Sequence, residues 1–182
     1  MDKYRTNTQQ RGMTFIEVLV ALFLLIVGLL GAVAMQATVK KSSFDAMQRS
    51  LASSLAKDMI ERMRSNDPDT LATYAKTDYG VALDAIPANR CNVQGAACTA
   101  AQMATNDMYE WELALMGADV TSGGDRRGGL IDARGCVSHN ANAVQVVVTW
   151  KGRTSTTDAK KVDNCGAASD KRRQVVVEAF IN

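Results

Sequence analysis

Eighteen consecutive residues, Val18 to Met35, carry no polar side chain, and this run limits what the chain can fold into more than any other feature. It extends a slightly looser segment starting at Met13, MTFIEVLVALFLLIVGLLGAVAM, in which 19 of 23 residues are apolar and Glu17 is the one charge. A helix of that length crosses or nearly crosses a hydrocarbon core of about 30 Å. The alternative is a core helix, but a helix apolar on every side needs a large protein around it. Of the 40 Leu, Ile, Val and Phe residues, 14 lie in this segment, leaving 26 in the 147 residues that follow, too lean a domain to bury it. A membrane helix is the expectation. Residues 1–12 carry Lys3, Arg5 and Arg11 against Asp2, which places the N-terminus in the cytoplasm and sends the C-terminal part across the membrane. Cleavage after Gly31-Ala32-Val33-Ala34, as in a secretory signal peptide, is a lesser alternative.

Past Gln36 the pattern becomes amphipathic. Phe44, Met47, Leu51, Leu55, Met59 and Met63 recur at spacings of three and four among charged residues, so one helix is expected from Thr14 to Ser65, about 78 Å long, ending near Asp67-Pro68. Gly28 and Gly31 in its apolar half permit close helix packing or local melting. The expected organisation is a leader over 1–12, a transmembrane half-helix over 13–35, an amphipathic half over 36–66 and a globular domain over 67–182. Thr70 to Ala97 shows no sustained period and reads as a connection. Thr99-Ala100-Ala101-Gln102 fits a capping box, after which Ala104, Met108, Trp111 and Leu115 share one helix face and Gly117 is a natural stop. Asp107 reads as a solvent-facing acid and Trp111 as a core aromatic. Strands are expected over Leu130–Ser138, Val144–Trp150 and Gln174–Ile181, with a turn at Asn140-Ala141-Asn142 and a long polar connection from Gly152 to Arg173. The fold class is α+β, with three or four antiparallel strands.

The four cysteines, Cys91, Cys98, Cys136 and Cys165, all follow the apolar run, where disulfides persist if that part lies outside the cytoplasm. Three connectivities are open; Cys91 with Cys98 and Cys136 with Cys165 is preferred, and the second closes a loop contributing about 3 to 4 kcal/mol. No CxxC supports a zinc site, so no metal is expected. An enzyme has little to stand on: the one histidine, His139, falls in an expected turn, no GxSxG, HExxH or GxxxxGK[ST] occurs, and Glu110 and Glu112 face different directions on a helix. No cofactor is implied. Lys160, Lys161, Lys171, Arg172 and Arg173, with Arg126 and Arg127 elsewhere, read as solvated loop faces rather than a nucleic-acid surface, because no aromatic residues interleave them and residues 13–182 carry 18 charges of each sign.

Glu17 sets the functional question, since an ionisable residue inside a membrane segment is expensive unless it has a role. Arg11-Gly12-Met13-Thr14-Phe15-Ile16-Glu17-Val18-Leu19 resembles the class III signal of type IV prepilins and pseudopilins: a basic leader ending in Gly, an apolar residue after the cut, and Glu fifth in the mature chain. The residue after the cut is Met13 where the family usually has Phe. The resemblance implies cleavage between Gly12 and Met13 by a prepilin peptidase, methylation of the Met13 amino group, and assembly guided by Glu17. Cys98-Thr99-Ala100-Ala101-Gln102-Met103-Ala104 with Asp107 and Trp111, then Gly128-Gly129, Gly135-Cys136-Val137 and Val146-Val147-Val148-Thr149-Trp150, is similar to PilV-like minor pilins, the type IV pilus modification proteins. That family's Leu-Pro before the glycine pair is replaced by Asp125-Arg126-Arg127.

What the resemblance implies is a type IV pilin fold and a single-pass inner-membrane protein, with its domain in the periplasm and its helix entering a pilus. The implied partners are other minor pilins and the major pilin, prepilin peptidase, the inner-membrane assembly platform, membrane lipid and an adhesin. The implied roles are pilus initiation, twitching motility and adhesion. A type II secretion pseudopilin is the alternative, and a membrane-anchored periplasmic enzyme the second.

Overall fold

The computed structural model describes residues 12–92, 97–118, 120–126, 128–156 and 165–182. The chain divides into two units, Met1–Ser42 and Ser43–Asn182, and helix α1 (Phe15–Ser65) contributes to both. In the first unit all the described residues, Gly12 to Ser42, are exposed. The second unit is α+β: a 3-10 turn (Pro68–Thr70), α2 (Leu71–Tyr74), β1 (Lys76–Tyr79), α3 (Ala100–Met116), β2 (Thr121–Ser122), β3 (Asp125–Arg126), β4 (Arg134–Asn140), β5 (Ala143–Lys151) and β6 (Arg172–Phe180).

Within the second unit the buried side of α1 is Gln48, Ala52, Leu55, Ala56, Met59, Ile60 and Met63, a stripe at the helical period. The expected stripe began one position too early. Met47 is 56% exposed and Gln48 takes the core position, because its side-chain carbonyl accepts the Ile131 N–H at 3.2 Å and so satisfies a backbone donor. Asp67 then accepts the Asp69 N–H at 3.0 Å and starts the 3-10 turn, with Pro68 at its first position.

The expected structureless connection after Pro68 is corrected here: it contains α2 and β1. Both are four residues long, too short to display a period, and they are held by burial of Leu71, Tyr74 and Tyr79 rather than by propensity. The α3 boundaries follow the sequence signals. Gln102 N–H donates to Thr99 Oγ1 at 3.3 Å and Thr99 N–H to Gln102 Oε1 at 3.0 Å, while Gly117 stops the helix at φ +66°. A Cβ at Gly117 would collide with the Gly128 backbone. Gly117→Ala therefore combines left-handed strain with overpacking and is expected to lower stability by about 3 kcal/mol in chemical denaturation of the detergent-solubilised chain.

The main sheet is antiparallel in the order β1-β4-β5-β6, and β2 and β3 form a separate two-stranded ribbon closed by Gly123 and Gly124, both at positive φ. β4 begins four residues later than expected, after Asp132 turns the chain at φ 48°; Leu130 and Ala133 are buried without belonging to the strand. His139 lies in β4, not in the turn, and is exposed; the turn is Ala141 and Asn142. Val144, Val146, Val148 and Trp150 of β5 all enter the core with the α1 and α3 residues, and Val175, Val177 and Ala179 of β6 pack against it. Cys136, Val147 and Cys165 form a small cluster apart from that core.

Candidate assembly site

Gly12 and Met13 precede α1 and are exposed. The helix opens when the Thr14 carbonyl accepts the N–H groups of Glu17 at 3.1 Å and Val18 at 3.3 Å. Glu17 thus sits in the first turn, where a carboxylate is favoured by the helix dipole and the unsatisfied N–H groups. An 18-residue apolar stretch of α1 has no buried residue, and by length and composition the helix is long and apolar enough to cross a membrane. The apolar surface is continuous, and Glu17 is the one charge on it before Lys40. A carboxylate there is expensive in hydrocarbon unless a cation meets it. Gly28 and Gly31 would accept a Cβ without meeting any atom of the described residues within 4 Å.

The second unit is held by two disulfides and a polar network. Cys91 pairs with Cys98 across the approach to α3, and Cys136 with Cys165, with Cα atoms 6.0 and 5.8 Å apart. The second bridge ties β4 to the segment before β6, and the Cys165 carbonyl accepts the Thr149 hydroxyl at 2.9 Å.

Asp107 corrects the sequence expectation: it is 6% exposed, not solvent-facing. Tyr74 donates to it at 2.8 Å and Arg62 at 3.1 Å, and the same guanidinium reaches Asp58 at 2.9 Å and Glu110 at 3.4 Å. Burial outweighs these partners and raises the Asp107 pKa above its ordinary value. Glu110 is also pushed up by burial, but Asn106, Arg90 and Arg62 together hold it below the usual range. Trp111 is the core aromatic that was expected, at 0% exposure.

Glu112 was missed. It is fully buried, accepting the N–H groups of Gly80 at 2.7 Å and Asp84 at 3.2 Å, with Lys76 at 3.9 Å. The signal was present in the spacing, since Glu112 falls four residues after Met108 and eight after Ala104 on the buried side of α3. This carboxylate fastens the chain after β1 to the helix. Glu110 and Glu112 do point different ways, as expected.

The basic cluster near β6 is also corrected. Arg172 is 4% exposed and holds Asp132 at 2.7 Å, and Arg173 reaches Thr154 and, at 3.5 Å, Asp45. They are internal ties rather than a solvated face; Lys160, Lys161 and Arg127 lie outside the described residues. Asp45 accepts the Arg153 N–H at 3.0 Å and the Thr154 hydroxyl at 2.8 Å. Burial raises its pKa, but these bonds and Arg173 outweigh that and hold it below the usual carboxylate range. A depressed folded pKa contributes stability that is complete above the unfolded value and is lost as pH falls through the folded one. Asp45→Asn is therefore expected to cost about 1 kcal/mol at neutral pH, with the difference from the parent shrinking in pH-dependent denaturation as the pH falls below the ordinary aspartate range.

Residues 34–109 match the family model described as type IV pilin Tt1218, and residues 7–33 match the prokaryotic N-terminal methylation motif. No match is found among curated proteins or among solved structures. The two matched segments adjoin, and the second contains Gly12, Met13 and Glu17. Together they support a type IV pilin, and the long helix with a small antiparallel sheet and two disulfides is the α+β fold of that class. The methylation motif and the exposed apolar helix fit a membrane-anchored pilin incorporated into a pilus. Pilin families are structural, and their members assemble with other pilins after processing by a prepilin peptidase.

Proposed function

We propose that the chain is a minor pilin of a type IV pilus, made as an inner-membrane precursor and taken up into the filament or the complex that initiates it. Residues 1–12 are the leader, residues 13–35 the transmembrane half-helix, residues 36–66 its amphipathic continuation and residues 67–182 the periplasmic domain. Gly12 carries the cleavage, Met13 receives the methyl group, and Glu17 pairs with the new amino terminus of a neighbouring subunit. The supporting observation is the exposed apolar helix whose one early charge stands fifth after Gly12, within the methylation-motif match. A desolvated carboxylate near the tip of such a helix is costly alone and favourable beside a cation, which makes lateral assembly the arrangement that relieves it. The globular face meets other minor pilins, the major pilin or an adhesin, and the assembly platform extracts the subunit from lipid. Deletion of the gene tests this. Loss of surface pili and twitching motility, with protein secretion unaffected, is the expected phenotype; intact piliation with failed type II secretion would make the chain a pseudopilin instead.

A further inference from the structure

β6 is an edge strand. It pairs with β5 at all nine of its positions without a break in register and, among the described residues, has no second neighbour. About half of the N–H and C=O groups of such a strand point away from the sheet, which makes it a template for another strand. Edges are ordinarily guarded by Pro, by charged side chains, Lys above all, or by a bulge; from Gln174 to Phe180 this one has no Pro, Lys or bulge and Glu178 as its one charge. The cations at its start are committed elsewhere, Arg172 to Asp132 and Arg173 to Thr154 and Asp45.

The alternate row Val176, Glu178 and Phe180 is exposed, with Phe180 at 64%. Glu178 and Phe180 line a cleft of about 550 Å³ together with Ser138, Asn140 and Gln145, and Glu178 is the one formally charged side chain in its lining. Gln145 Nε2 donates to Glu178 Oε1 at 2.8 Å and so orients the carboxylate, while Oε2 has no partner among the described residues. A carboxylate fixed beside an exposed aromatic ring suits a cation on an aliphatic stem: the charge meets Glu178 and the stem lies on Phe180.

We propose that the free edge of β6 binds, by strand addition, an extended segment of another protein whose residues alternate between apolar and basic, one basic side chain entering the cleft at Glu178 and Phe180. Main-chain bonds along Gln174–Phe180 give affinity, and the acidic cleft gives choice of partner. A second copy of β6 is a poor occupant, because its own two arginines are already engaged and bring no free cation.

The test uses the full chain in detergent and three fluorescent, acetylated eight-residue peptides: alternating valine and lysine, alternating valine and glutamate, and the lysine peptide with two central valines replaced by proline. The lysine peptide is expected to bind saturably and to protect the β6 amides from hydrogen exchange. The other two should bind at least tenfold more weakly. Glu178→Lys should reverse the preference toward the glutamate peptide, and Val176→Lys should weaken the lysine peptide about tenfold. Both substituted side chains are exposed, and intact disulfides by mass mapping check the fold. No saturable binding, equal binding of the proline peptide, a preference unmoved by Glu178→Lys, or a chain that dimerises through this edge and ignores the peptides would overturn the proposal.

Discussion

Trp111→Ala is expected to cost about 4 kcal/mol, the range for deleting a fully buried large aromatic. The side chain is at 0% exposure, and its Nε1 donates to the Leu55 carbonyl at 2.8 Å, linking α3 to α1 within the second unit. Tyr79 meets its ring edge-on, with centroids 5.1 Å apart and planes at 82°, an arrangement that adds about 1 kcal/mol beyond area burial. Gly135 is shaped for the same ring, since a Cβ there would collide with the far edge of the indole. One residue thus joins α1, α3, β1 and β4. Against a total stability of about 5 to 15 kcal/mol, the loss would remove from about a quarter to about four fifths of it. Urea denaturation with both disulfides intact checks this, and Trp111→Phe should recover more than half of the loss. A change below about 1.5 kcal/mol for the alanine variant would mean that the joint is carried elsewhere.

Glu17→Ala is expected to leave the chain in the membrane and processed, yet to lower its content in sheared filaments by at least tenfold relative to the membrane fraction. The replacement makes the helix more apolar, so insertion is not harmed. What is removed is the charge that the proposed assembly neutralises, and a tenfold loss needs only about 1.4 kcal/mol of that pairing. Immunoblots of filament and membrane fractions measure the ratio. Undiminished incorporation would remove Glu17 from the assembly mechanism, whereas an anchored enzyme would be indifferent to the change.

Much of the fold was legible where a single periodicity ran long enough or a local signal had its own chemistry. The apolar run, the α3 cap at Thr99 and Gln102, the Gly117 stop and the inward row of β5 each express a backbone requirement that a few residues satisfy by themselves. α2 and β1 were not legible, because each is four residues long and owes its existence to what Tyr74 and Tyr79 pack against. The polar interior was missed for a related reason. Gln48, Asp107, Glu112 and Arg172 look like surface residues by type, and their burial depends on partners far along the chain: Ile131, Tyr74, Gly80 and Asp132 respectively. At the candidate site the position of Glu17 in an apolar helix was plain from the sequence. That its apolar part is exposed throughout, with Glu17 in the first turn, required the structure.

The proposed function makes the chain a prepilin whose apolar helix is kept as an assembly element after its leader is removed. Mass spectrometry of the protein recovered from membranes tests it most directly. The expected result is a mature chain beginning at Met13 and carrying one methyl group on its amino terminus. A chain still beginning at Met1, or one cut after Ala34 and released without its apolar helix, would contradict it.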